Sequence, residues 1–182
     1  MAINRNKQCL NNYSGISAIY AFKYVKYKRS DMNVSSNILT KFPYSVVYDL
    51  NAINISFKED IEHSEGGTVF SQSLSFDLLS VLETDDYSEF CNNDWRFIIK
   101  TNNNKYKLIG YKTGMIGKYS KDEGNGLNSF SGFKFNFSTK EQQTAPFLVD
   151  LTGFYIDEYP FLSDGLGNTI QDGNNNNLQV TI

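Results

Sequence analysis

Histidine and tryptophan each occur once in the 182 residues, cysteine twice and proline three times. The single histidine, His63, lies in the charged stretch EDIEHSEGG, where a surface role is expected. Any Ser–His–Asp or Cys–His grouping would need that one residue, and no serine sits in the glycine frame of a nucleophile elbow. A site built from several histidines is excluded. Cys9 and Cys91 are too few for a disulfide scaffold and lack metal-ligand spacing, so both are expected to be free thiols. No run approaches the ~18 apolar residues that span a bilayer. The opening MAINRNKQCLNNYSG lacks the apolar core of a secretory leader. Phosphate-loop and dinucleotide glycine patterns are missing, and the glycines between Gly110 and Gly132 are scattered. Asp164–Gly165 and Asp172–Gly173–Asn174 have the composition of a calcium loop without its ligand spacing or closing glutamate. The adjacent acids Asp85–Asp86, Asp122–Glu123 and Asp157–Glu158 are expected to be solvated charge rather than a hydrolytic pair. No catalytic, cofactor-binding or metal-ligating residue is expected, and the chain is not expected to be an enzyme.

Aromatic residues are plentiful by contrast, with 14 Phe and 12 Tyr. Such residues favour pleated, half-buried surfaces. Asparagine recurs at Asn92–Asn93, Asn102–Asn104 and Asn174–Asn177, where its short amide suits turns. The net charge of −3 is unevenly spread. Through Arg29 there are six basic residues and no acid; from Glu141 onward there are six acids and no base. Ends of opposite sign can meet within one subunit or between neighbours, and such complementarity steers association and fixes register. An acidic chain without an arginine-rich patch is not expected to hold nucleic acid tightly.

The hydrophobic pattern has period two along much of the chain, which puts one face of each strand in a core and the other in water. A first strand is expected over Ile16–Tyr27, with Ile16, Ala18, Tyr20, Phe22 and Tyr24 on one face. Ser30–Phe42 reads as a loop. Tyr44–Lys58 reads as one or two strands bent near Asp49–Asn51, and Glu59–Gly67 as a charged turn. In Thr68–Leu79 the residues Phe70, Leu74, Phe76 and Leu78 face opposite to Ser71, Ser73, Ser75 and Asp77. The spacing then changes and suggests a short helix over Ser80–Cys91. Trp95–Lys100 and Lys105–Lys112 make a hairpin over Asn102–Asn104. Thr113–Asn128 reads as a long glycine-rich loop. Phe130–Phe137 is a strand with Phe133, Phe135 and Phe137 inward. One or two further strands follow in Ala145–Leu162, then turn material over Ser163–Asn177 and a short terminal strand, Leu178–Ile182. The expected fold is mainly β: a small antiparallel barrel or sandwich with one short flanking helix and extended loops or arms. Residues 1–149 form the barrel or sandwich with its basic N-terminal segment, and 150–182 an acidic extension of the same domain.

The order of these elements carries a resemblance. Cys9, Gly15 and the strand ISAIYAF lead to SQSLSFDL and a short helix, then KYKLIGYKTG, a glycine-rich loop and GFKFNFSTKEQQTAPFLV. This resembles the tail-tube group among small tail and neck proteins of tailed bacteriophages that infect Bacteroidetes, including crAss-like phages. It covers roughly residues 9–149 and rests mainly on Lys105–Gly114 and Gly132–Val149. The resemblance implies a virion protein assembled in the host cytoplasm. It implies a homo-oligomeric ring, hexamer or dodecamer, in the tail or neck and connector, touching adjacent ring proteins. Double-stranded DNA would pass through without specific binding, and no membrane is involved. The family offers no catalytic residues. The Asp150–Ile182 extension goes beyond a short tube protein and suits a neck or connector ring as well. The Gly114–Asn128 loop and the Ser163–Ile182 arm are then expected to reach neighbours. A neutral or acidic lumen would carry acids such as Asp122–Glu123. The alternative is a β-sandwich module binding a carbohydrate or receptor through exposed Tyr13, Tyr20, Tyr24, Tyr27 and Tyr119.

Overall fold

A computed structural model describes residues 15–158 apart from 29, 44, 65, 80–86, 125–129 and 153. Among the described residues, twelve strands form two sheets, with one short helix beside them. The large sheet is built from β1 (Ile16–Lys23), β2 (Asn33–Ser35), β3 (Ile38–Lys41), β4 (Ser45–Asp49), β7 (Trp95–Thr101), β8 (Tyr106–Ile109), β11 (Phe147–Leu148) and β12 (Phe154–Glu158). Its order is β12-β4-β1-β7-β8-β11-β3-β2. The small sheet contains β5 (Ile53–Ser64), β6 (Gly67–Leu79), β9 (Ile116–Asp122) and β10 (Gly132–Glu141), in the order β5-β6-β10-β9. Pairing is mainly antiparallel; β11 with β3 and β12 with β4 are the parallel pairs.

The main core lies between the sheets. Ile19 and Ala21 of β1 and Trp95, Phe97 and Ile99 of β7 meet Leu74, Phe76 and Leu78 of β6 and Phe133, Phe135 and Phe137 of β10. The period-two reading of β6 and β10 therefore holds. Phe76 stacks on Phe135 with ring centroids 5.1 Å apart, and Phe97 meets Phe137 edge-on at 4.6 Å. Each large apolar side chain so buried contributes about 1.5–3 kcal/mol. The helix α1 (Ser88–Asn92) drives Phe90 against Trp95, Phe135 and Phe137 and so covers part of this core. The earlier part of the expected helix lies outside the described residues.

A second core fills the opposite face of the large sheet, with Tyr20, Phe22, Val47, Ile98, Leu108 and Leu148. The sheet curls around it, because Phe42, just after β3, stacks on Phe154 of β12 at 5.4 Å. Phe22 lies 5.8 Å from Phe42 and 5.9 Å from Phe154. Thus β1 and β7 are covered on both faces, and their runs IYAF and WRFII are correspondingly continuous.

Several expectations need correction. A bulge between Ile16 and Ala18 reverses parity, so Ile16 packs against the main core and Ala18 against the second. Ser30–Phe42 is not a loop: β2 and β3 form a hairpin over Ser36 and Asn37, both with positive φ (51° and 63°). That is the turn whose twist suits a two-residue hairpin. Glu59–Ser64 continues β5, since pairing with β6 outweighs its charge. Ile116–Asp122, assigned to a long loop, is β9, whose partner β10 supplies a ladder that its own sequence does not announce. The bend near Asp49–Asn51 and the hairpin over Asn102–Asn104 stand where expected. The arm Ser163–Ile182 lies outside the described residues.

Candidate functional site

The chain crosses from the large sheet to the small one through the Gly110–Met115 turn. Two buried charges hold that turn. Arg96, fully buried in β7, donates from Nε to the Tyr111 carbonyl (3.1 Å) and from Nη1 to the Val25 carbonyl (2.9 Å). Its guanidinium stacks 4.3 Å from the Tyr24 ring and 5.0 Å from that of Tyr27. Glu141, buried at the end of β10, accepts from the Lys112 and Thr113 amides at 2.8 and 3.0 Å and from the Thr113 hydroxyl at 3.1 Å. The Tyr111 carbonyl and the Lys112 amide belong to one peptide unit. An arginine and a carboxylate therefore polarise a single peptide group from its two ends, a cooperative chain in a low-dielectric interior. Burial lowers the Arg96 pKa, while Tyr24, Tyr27 and Glu141 oppose that shift. Burial raises that of Tyr111. Beside this turn, Gln72 accepts from the Gly110 amide (3.1 Å) and donates to Glu59 (3.1 Å). Glu59 in turn accepts from the Ala145 amide (2.9 Å) and the Thr144 hydroxyl. These groups do structural work, bonding the Gly110–Met115 turn, the Thr144–Ala145 link and neighbouring backbone of the same chain.

Among the described residues, the outer face of the small sheet and its two edges are open. Side chains there are short in the centre: Ser73 and Ser75 on β6 pair across with Ser138 and Asn136 on β10. They line a shallow groove of about 560 Å³, bordered by Lys118 and Ile116 on β9. Four lysines (Lys58, Lys118, Lys134 and Lys140) and four acids (Asp60, Glu62, Asp77 and Asp122) share the alternating positions of this face. The face is neutral as a whole. Asp122 pairs with Lys134 at 2.6 Å and accepts from the Gly124 amide at 3.0 Å; the lysine hydrogen bond first, then the amide, hold its pKa below the usual value.

Among the described residues, strands β5 and β9 are the two edges of the small sheet, each paired on one side only. Both carry exposed isoleucines: Ile61 on β5 is 58% exposed and Ile116 on β9 is 68% exposed. The sequence EDIE gives β5 an acidic edge, whereas β9 carries Lys118 and Lys121 against Asp122. All three contacts in the small sheet are antiparallel, so β5 and β9 run in opposite directions.

The other residues singled out from the sequence lie as follows. His63 is on β5, not in a turn, and its Nδ1 lies 2.9 Å from the Thr68 hydroxyl. Asp122 ends β9, and Glu123, just beyond it, pairs with Lys121 at 3.0 Å. Tyr20 is buried, Tyr24 and Tyr27 bracket Arg96, and Tyr119 packs on Phe133 and Phe135. These four rings are engaged within the fold rather than presented as a platform. Glu141, counted among the acids of the C-terminal part, is internal; Asp150 accepts from the Thr152 amide at 2.8 Å. Lys23 pairs with Glu89, and Lys26 and Lys28 are exposed. Cys91 is a free thiol. Cys9, Tyr13, Asp85–Asp86 and the stretch from Tyr159 onward lie outside the described residues. Among the described residues no cluster of three or more His, Cys, Asp or Glu is placed to hold a metal ion, and no helix is long and apolar enough to cross a membrane. Pattern reading missed Arg96, Gln72, Glu59 and Glu141. Their signal was a charged or amide residue at an inward position of an otherwise apolar strand.

No family model, curated protein or solved structure matches this chain.

Proposed function

We propose that this protein is a virion subunit of a tailed bacteriophage that closes into a homo-oligomeric ring, hexamer or dodecamer, in the tail or neck. The observation that carries the reading is the pair of open edges on the small sheet. An unpaired strand edge is a template for another strand, and closure into a barrel removes edges altogether. With four alternating strands, β5 of one copy beside β9 of the next continues the antiparallel alternation under a simple rotation. An acidic β5 and a basic β9 favour this head-to-tail contact over β5 on β5 or β9 on β9. Heterologous contacts of that kind generate rings when the rotation closes. The exposed isoleucines on the two edges would be covered by it. The outer face of the small sheet would then line the lumen, and its balanced charge and small hydroxyl and amide groups suit passage of a duplex without capture.

Light scattering and negative-stain imaging of the purified full chain test this. Annular particles of one size, dissociating on dilution, are the expected outcome. A monomer at every concentration reached would end the reading.

A further inference from the structure

The two edges also carry enough pattern to set how they meet. We propose that β9 of a second copy pairs with β5 in the antiparallel register that places Lys118 opposite Glu62, an inference that rests on the ring reading above. Three observations lead there. First, side chains directly opposite in a sheet lie on the same face. Lys58, Asp60 and Glu62 share the outer face of β5, as Ile116, Lys118, Ser120 and Asp122 share that of β9. Every register that joins an outer to an inner position is thereby excluded.

Second, the remaining registers differ in charge. The proposed one sets Glu62 against Lys118, Lys58 against Asp122 and Glu59 against Lys121, with Ile61 against Tyr119 and no like charges opposed. Sliding β9 by two residues one way sets Asp60 against Asp122. Sliding it two residues the other way leaves Asp60–Lys118 as the one matched charge pair, and a further two oppose Lys58 to Lys118. Like charges directly opposite destabilise a strand pair, whereas opposite charges and aromatic–aliphatic pairs support it.

Third, three of the six charges so joined lack an ionic partner within their own chain. Glu59, Glu62 and Lys118 form no salt bridge among the described residues, where the ion pairs are Lys23–Glu89, Lys58–Asp60, Lys121–Glu123 and Lys134–Asp122. Glu59 has only neutral hydrogen-bond donors. Lys121 of the second copy, which pairs only with the exposed Glu123 beside it, would supply the missing cation.

Cysteine pairs read the register. Directly opposite residues in an antiparallel pair lie about 4.5–5.5 Å apart at Cα, within disulfide reach. In the full chain with Cys9→Ser and Cys91→Ser, Glu62→Cys with Lys118→Cys should give a ladder of covalent multimers on mild oxidation. Asp60→Cys with Lys118→Cys, and Glu62→Cys with Asp122→Cys, should give far less. A charge exchange supplies a second readout. Glu62→Lys alone and Lys118→Glu alone should each weaken association roughly two- to tenfold, and the double variant should restore it. Stronger cross-linking at either comparison pair overturns the register but leaves the ring intact. Oligomers without any ladder overturn the β5–β9 contact. Monomers throughout, before any substitution, overturn the ring reading itself.

Discussion

At the scale of single residues, Arg96 and Glu141 matter most because each is buried and each bonds to the same turn, Glu141 through Oε1 alone. Removing one leaves the other as an uncompensated internal charge. Arg96→Ala is expected to lower stability by about 3–5 kcal/mol in denaturant unfolding. Arg96→Lys is expected to recover little of the loss, since an ammonium cannot reproduce the planar fork that reaches two carbonyls. Asp122 offers a milder and pH-dependent case. Its pKa is depressed in the folded chain, mainly by Lys134. The stability it adds is therefore present above the unfolded value of about 3.9 and is lost as pH falls through the folded one. Carboxyl NMR should show a midpoint for Asp122 below the ordinary aspartate value, and Lys134→Met should move it upward. An unchanged midpoint in that variant would assign the shift to another cause.

At the scale of elements, β9 depends on a glycine. A Cβ at Gly117 would meet Cε1 of Phe137 at 2.1 Å, inside any permitted contact, and that ring is wedged in the main core. Gly117→Ala should push β9 off β10 at a cost of about 1–3 kcal/mol, the usual range for overpacking. Hydrogen exchange should speed up over Ile116–Asp122 more than over β6. If β9 is an association edge, the same variant should also lower the oligomer fraction. The strands that pattern reading located, β6, β8 and β10 among them, alternate cleanly or follow a turn with suitable chemistry. Those it missed fail for identifiable reasons. β2 and β3 are short, polar and joined by Ser36–Asn37 rather than a glycine turn. β9 is charged and lies between glycines. Neither carries enough apolar alternation to declare itself, and both are strands because a partner ladder satisfies their backbone.

At the scale of the molecule, two cores on either side of the large sheet leave the small sheet with one covered and one wet face. That wet face has four positive and four negative side chains. Tight duplex binding needs an excess of cations and shows a steep dependence on salt. The assembled protein should therefore leave linear double-stranded DNA unretarded in a mobility assay at physiological ionic strength. Salt-sensitive retention would contradict a neutral channel.

The sequence by itself determined the β class, the inward faces of β6 and β10 and the hairpin over Asn102–Asn104. Periodicity and composition are local properties, and these features are local in origin. Only the tertiary structure decided that β1 and β7 are covered on both sides, that Arg96 and Glu141 share one peptide group, and that β5 and β9 end up as edges. Each depends on which distant segments become neighbours, and that follows from how the whole chain best buries its aromatic side chains while pairing most of its internal polar groups.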